Sequence, residues 1–503
     1  MVAGNPPPSK KKITVRNSAA PVEDDFLGLN GIYHCYTYIN DYKGRNYTEQ
    51  QAQTEFNRLQ NMGVKIVRTY YNHEMSYNKQ TGEFNWESDD MKSVYKWMQE
   101  MQKRDISVAL NTGWSMRGAY IKDYYAPWLG CYVEGDLETT AKNQANWVKN
   151  SLNQFRAHGI NNIDYLIMFT EPDSATSDLT YEQRINIRLS NVEDTYDLEP
   201  NVDRWLKCSR AIHNALVEDG TRNLYKTVGP NTARNYQTLN SNMSPLYYFA
   251  INKASDFIDI YSHHRYPRLP DVEVDSITSL VDELKMQEEI NAAHNIGKKF
   301  WYDETSIHAE GSGKNNLFAY YNTDDAPIEG LHTTSYFADS MNRGVQNVMW
   351  WTLFDQQWPD NNSNGDDSWD MGIHKWGFAP TLLESAIPES SYYAASLLTK
   401  YFGNNAKVYK TESKDYNVGV QQDKNGDWSI CLANFADEPS HIEIAFDSNI
   451  GYQKFYRHVY YKDGTVRTSE AKIIPADKSL TTSGKTLNDR IPANCTVVYT
   501  TIN

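Results

Sequence analysis

The chain has 503 residues, and its 64 acidic side chains outnumber 49 basic ones for a net charge of −15. That balance argues against nucleic acid and anionic membrane surfaces and suits a neutral partner such as a poly- or oligosaccharide. No apolar run reaches the roughly 20 residues of a membrane span. The length exceeds one ordinary domain but accommodates a barrel with a smaller unit beside it. A 40% hydrophobic share supports a sizeable core, and 36 Tyr and 13 Trp supply rings that pack cores or stack on sugar faces.

In chain order, residues 1–11 are Pro- and Lys-rich and are expected to be disordered. Met1 to Lys12 holds no apolar core of a signal peptide. A secreted or periplasmic location is expected with the leader removed, and the cytoplasm is the alternative. Ile13 to Arg16 reads as a strand standing alone. From Phe26 a β-then-α alternation begins, with strands expected at 26–32, 64–68, 106–111 and 163–171. Helices fall between them. One opens at Thr48 with Gln51 in capping-box spacing and stops at Gly63; Asp89 caps a second that runs through Met101. A third places Ala141, Ala145, Val148, Leu152 and Phe155 on one face and closes at Gly159.

A polar insertion (174–200) precedes a helix at 205–218, then strands at 225–229 and 257–261. The next helix carries Ile277, Leu280, Val281 and Leu284 on one side and stops at Gly297. Strand seven ends at Glu304, a helix covers 333–343, strand eight covers 345–353, and a last helix runs 391–402. Eight strands alternating with helices make a (β/α)8 TIM barrel over 22–403. The doubly wound alternative lacks a Gly-rich phosphate loop after strand one. From 404 to 503 only strands are expected, at 407–411, 416–421, 428–434, 441–446, 455–461 and 495–501. Asn425-Gly426 and Asp463-Gly464 mark turns between them. This is a small antiparallel β-sandwich, expected to take residues 12–18 as an additional N-terminal strand.

Barrel enzymes place reacting groups at the carboxyl ends of their strands. Strand four is an apolar run ending in Thr170-Glu171-Pro172, and strand seven ends in Glu304. Glycoside hydrolysis requires two carboxyls flanking one bond, and these two strands face each other across a barrel mouth. Glu171 is therefore expected as acid/base, its proton kept by the apolar flanks Met168 and Phe169, and Glu304 as nucleophile, with Arg68 and Tyr266 as donors to it. His263 and His264 are neighbours on a strand and point opposite ways, so one lines the cleft. Asn111 and Trp114 past strand three are candidate sugar contacts; Tyr33 and His34 past strand one are weaker ones. Asp303 and Asp355 are expected as hydrogen-bonding supports. The acidic loop 359–370 has calcium-type ligands without EF-hand spacing and is read as a solvated loop. Cys35, Cys131, Cys208, Cys431 and Cys495 show no CxxC spacing, which favours free buried thiols over disulfides or zinc. No cofactor or metal is expected, and oligomeric state is not readable.

The two strand-end glutamates resemble clan A of the glycoside hydrolases, retaining (β/α)8 barrels with the acid/base on strand four and the nucleophile on strand seven. His264-Arg-Tyr266-Pro267 is similar to the His-x-Tyr after strand six in families 39 and 5, which implies that Tyr266 bonds Glu304. Trp350-Trp351 resembles the strand-eight tryptophan beneath the reacting sugar and leaves the choice between the two open. Residues 391–402, followed by a sandwich with an N-terminal strand, resemble families 39 and 30. Thr170 departs from the pattern: most of the clan has Asn there, whose amide bonds the sugar 2-OH. Either recognition at C2 is unusual or the threonine is satisfied in its own turn. The leading reading is a retaining β-glycoside hydrolase. A carbohydrate-binding barrel that has lost turnover is the alternative. A metal-dependent barrel of enolase type is third, because strand three ends in Asn111 and strand five in Gly229-Pro230-Asn231 rather than in carboxylates.

Overall fold

The computed structural model describes residues 10–19, 26–32, 48–71, 73–78, 83–112, 136–172, 200–233, 243–266, 283–306, 327–354, 356–357, 373–374, 377–379 and 385–503. Eight parallel strands close into a barrel: Gly28–Ile32, Ile66–Tyr71, Ser107–Thr112, Ile163–Ile167, Lys226–Thr232, Ile260–Arg265, Lys299–Thr305 and Asn347–Trp350, with the last pairing back onto the first. Most of these strand residues are buried, because one face lines the barrel interior and the other packs on helices. The interior cluster contains Ile32, Ile66, Tyr70, Ala109, Ile167, Val228, Ile260, Trp301, Met349 and Trp351. A larger cluster fills the layer between strands and helices and continues into the sandwich through Cys431, Ala433, Tyr460 and Val498.

A helix follows each strand in the chain: Glu49–Met62, Asp89–Lys103, Leu137–Ala157, Pro200–Glu218, Pro245–Lys253, Glu283–Asn295, Pro327–Arg343 and Ser390–Tyr401. The Thr48 capping box forms with both reciprocal bonds, and Gly63 ends that helix in the left-handed region at φ 75°. The second helix is capped by Ser88 rather than Asp89, since it is the Ser88 hydroxyl that accepts from the Met91 N–H. Pro245–Lys253 was not expected. Proline starts it, and Leu246, Tyr247, Phe249 and Ala250 are all buried, so no polar stripe reveals its period. The sixth strand lies later than expected and takes in Ser262, His263, His264 and Arg265. Ile277, Leu280 and Val281, expected to face the core from the next helix, lie outside the described residues; Met286, Ile290 and Ala293 are buried there.

After the last barrel helix the chain forms, together with its N-terminal strand, one continuous nine-stranded sheet that folds as a sandwich over Val418, Val420, Ile430, Leu432, Ile444 and Val497. Its strands include Lys478–Thr481 and Thr486–Ile491, which were not expected. The N-terminal strand spans Lys11–Ala19, so Lys11 is ordered against the expectation for 1–11; residues 1–9 lie outside the described set. It inserts in the middle of the sheet, antiparallel to Lys407–Glu412 and parallel to Ser440–Phe446. The sandwich is therefore not wholly antiparallel. A parallel pair needs a long crossover, and here the chain between the two strands includes the whole barrel. Ile13 and Val15 point inward and are buried in the sandwich core.

Candidate active site

At the carboxyl ends of the barrel strands, polar side chains replace the apolar interior. Arg68, on the second strand, is fully buried and fans out to four acceptors. Its Nη1 donates to Glu304 Oε2 at 3.0 Å and to the Asp303 carbonyl at 2.8 Å; its Nη2 donates to Asn111 Oδ1 and to Thr170 Oγ1, each at 3.3 Å. Tyr70, two residues further along and hence on the same face, donates to Glu304 Oε2 at 2.8 Å. Tyr266 donates to Glu304 Oε1. Both oxygens of Glu304 thus accept, which is the bonding of a carboxylate anion. Burial, above all, pushes the Tyr70 hydroxyl well above the usual tyrosine range, with Glu304 adding to the rise and Arg68 opposing it, so Tyr70 stays a donor.

Glu171 has a different environment. Its side chain is 29% exposed, and His264 Nδ1 lies 2.9 Å from its Oε1. The same nitrogen lies 3.5 Å from Glu304 Oε1, while His264 Nε2 lies 3.8 Å from Asp303 Oδ1. Burial opposes a charge on His264, but Glu304, the bond to Glu171 and Asp303 outweigh it and raise the pKa above 6.5. Met168 and Phe169 pack in the layer between strands and helices. The neighbour bonded to the Glu171 carboxyl is a histidine.

The main chain at Glu171 is held as firmly as the side chain. Its N–H donates to Asn231 Oδ1 at 3.0 Å and to the Asn231 carbonyl at 3.1 Å. Glu171 and Asn231 both adopt positive φ, 45° and 61°. Few non-glycine residues do so, and asparagine does so more readily than most.

The two carboxylates meet. One oxygen each of Glu171 and Glu304 and one His264 nitrogen all lie within 4.8 Å of one another. Among the described residues, this is the one group of His, Cys, Asp or Glu side chains close enough to hold a metal ion. Glu304 already receives Arg68, Tyr70 and Tyr266, so an ion there would compete with a fully buried guanidinium.

Of the residues expected from sequence, Glu171, Glu304, Arg68, Tyr266 and His264 come together directly. Asn111 and Thr170 are buried beside them and accept from Arg68. The Thr170 hydroxyl is thus engaged by Arg68 and not only within its own turn. Trp351 belongs to the barrel interior and meets Tyr70 edge-on at 6.1 Å. Trp350 does not face the site: it is fully buried in the outer layer and stacks on Phe378 at 5.3 Å. His263 also points outward, its Nδ1 2.7 Å from Glu289 Oε2 with both side chains fully buried. Asp303 is a buried support that accepts from Asn231 Nδ2. Trp114, Tyr33, His34, Asp355 and the loop 359–370 lie outside the described residues. Tyr70 was missed, although its two-residue offset from Arg68 was a usable signal. Asn231 was a candidate by its place at the end of strand five, with no role assigned to it.

No protein-family model and no curated protein matches this sequence. Solved structures do match over nearly the whole chain. A family 30 subfamily 8 xylanase from Clostridium acetobutylicum aligns with a TM-score of 0.60 at 11% identity, covering 97% of this chain and 99% of its own. A family 51 arabinofuranosidase from Xanthomonas axonopodis pv. citri reaches 0.62 at 12% identity, with 98% and 99% covered. A family 39 β-xylosidase from Caulobacter crescentus reaches 0.55 at 14%, with 97% and 99% covered. The chain has the fold of these glycoside hydrolases. Two of the three families are among those the sequence resembles. At such identities the likeness speaks for architecture, and the chemistry rests on the residues described above.

Proposed function

We propose that this protein is a retaining β-glycoside hydrolase acting by double displacement, with Glu304 as nucleophile and Glu171 as acid/base. The observation that carries the reading is that one oxygen of each carboxylate lies within 4.8 Å of the other, which leaves no room between them for the water of an inverting enzyme. Retaining enzymes hold their pair about 5–5.5 Å apart, whereas inverting enzymes leave about 6.5–9.5 Å for a water. The asymmetry of environment supports the assignment of roles. Glu304, with three donors, is held as an anion aimed at the anomeric carbon. Glu171, partly exposed, is free to give a proton to the leaving oxygen and later take one from water. His264, lying between them, can buffer that change of charge.

The structurally similar enzymes are named for xylan, xyloside and arabinofuranoside cleavage. We therefore place the substrate among pentose-containing oligo- or polysaccharides. At the sugar C2, Thr170 offers a hydroxyl whose oxygen already accepts from Arg68, so it approaches the 2-oxygen as a donor.

The test is turnover of xylan, arabinoxylan and a panel of aryl β-xylosides and α-L-arabinofuranosides, with the anomeric configuration of the first product read by NMR. Retained configuration is expected, and inversion would overturn the mechanism. In Glu171→Ala, cleavage of substrates with poor leaving groups should fall by about 100- to 10,000-fold, and azide should restore turnover of activated ones as a glycosyl azide. An unchanged rate in that variant would remove Glu171 from the chemistry.

A further inference from the structure

Behind the two carboxylates lies a buried layer that the reaction itself does not touch. Asp303 precedes Glu304 on the seventh strand and is fully buried. Its Oδ2 accepts from Asn231 Nδ2, and its Oδ1 has no hydrogen bond but faces His264 Nε2 at 3.8 Å. Asn231, equally buried, turns its other side-chain atom to the Glu171 N–H. A carboxylate can only accept and an N–H can only donate, so the amide of Asn231 has a single orientation that serves both. The same N–H also reaches the Asn231 carbonyl, and both residues hold a left-handed backbone that their neighbours must enforce. One buried carboxylate therefore reaches Glu171 by two routes: through Asn231 to its main chain, and through His264 to its side chain.

We propose that Asp303 and Asn231 are a pair of positioning residues that aim the Glu171 carboxyl at the leaving oxygen. The inference rests on the acid/base reading of Glu171. The electrostatic route runs through His264, which is faced by Glu171, by Asp303 and Glu304 of the seventh strand, and by Arg68 of the second, whose Nη1 lies 3.4 Å from Nε2. Tyr70 and Tyr266 donate to Glu304, the latter at the same Oε1 that His264 Nδ1 approaches. A carboxylate buried without direct ion pairing is costly. Here that charge holds the amide in register and biases the imidazole towards its protonated form, in which both ring nitrogens carry a proton.

Two variants of the full chain separate geometry from charge. Asn231→Leu removes both side-chain bonds, whereas Asp303→Asn leaves an acceptor for Asn231 and removes the charge. For Asn231→Leu, kcat/KM on the phenyl glycoside of the sugar turned over should fall about 100-fold. On the 2,4-dinitrophenyl glycoside, which needs no proton at departure, it should stay within about threefold. Equal losses on both would mean a merely structural role and overturn the proposal. For Asp303→Asn, the His264 titration followed by NMR of labelled imidazole should move down by roughly one pH unit. An unmoved titration would overturn the charge route even if Asn231→Leu failed to fold. If the unaltered protein turns over none of the aryl glycosides, the hydrolase reading falls, and the His264 titration alone still decides whether Asp303 governs that site.

Discussion

Two buried arginine–carboxylate pairs sit in the two halves of this molecule. In the barrel mouth Arg68 meets Glu304 at 3.0 Å; in the sandwich Arg457 meets Asp489 at 2.9 Å. Their first surroundings are alike, since Asp489 also takes Lys478 and the Tyr499 hydroxyl. Burial raises the Asp489 pKa, but Lys478, Tyr499 and Arg457 outweigh it and hold the carboxyl below its usual range. The difference lies one step further out. Arg457, Lys478 and Tyr499 all stabilise the Asp489 charge, the further carboxylate there, Asp477, is held on the other nitrogens of the same guanidinium, and the Asp489 side chain is 2% exposed. Glu304 has a second carboxylate within 4.8 Å and a histidine between the two. A buried ion pair alone is thus a poor sign of chemistry, and a second carboxylate that meets the first across a titratable histidine rather than an arginine is a good one.

The largest effect that would sharpen this contrast is expected from Glu304→Gln, with turnover down by about 10,000-fold or more while thermal unfolding changes little. Next comes Asp489→Asn. It takes from the buried Arg457 one of its two carboxylate partners and from Lys478 its partner, and should cost about 2 kcal/mol of stability with kcat/KM unchanged on the folded fraction. A variant that unfolded as the parent does but lost turnover would break the comparison. Third, Tyr70→Phe removes one donor to a charged acceptor and should lower kcat by about 10-fold, a loss of ~1.4 kcal/mol.

The smallest effect is in the pH dependence of stability, where the two halves should respond at opposite ends. The Asp489 pKa is depressed on folding, so its contribution is complete above the unfolded carboxylate value near 3.8 and is lost as the pH falls through the folded value. The His264 pKa is raised, so its contribution is complete below the unfolded value near 6.5 and is lost as the pH rises through the folded one. Unfolding midpoints measured across pH should therefore show Asp489→Asn flattening the acid limb and His264→Gln the alkaline one. The opposite assignment would refute both charge arguments.

Much of this was legible from residue order. Barrel strands buried on both faces read as apolar runs, and Glu171 and Glu304 stand where two of those runs stop. The sixth strand was misplaced for an instructive reason: Ser262 to Arg265 are polar because they serve the mouth and its supports, so apolar patterning ended too early. The choice between Trp350 and Trp351 could not be made, since both follow an apolar run and only the end of the eighth strand decides which turns inward. The link from Asp303 through Asn231 to Glu171 joins three separate strands, and nothing local to any of them announces it. Tyr70 was the avoidable omission.

The strand Lys11–Ala19 lies between Lys407–Glu412 and Ser440–Phe446, not at the edge of its sheet. A ribosome releases this segment before the whole barrel and before both partner strands, so the strand must wait for them before the sheet can close. A fragment beginning near 404 should accordingly present two bare strand rims facing a one-strand gap, and a synthetic peptide of residues 10–19 should fit that gap.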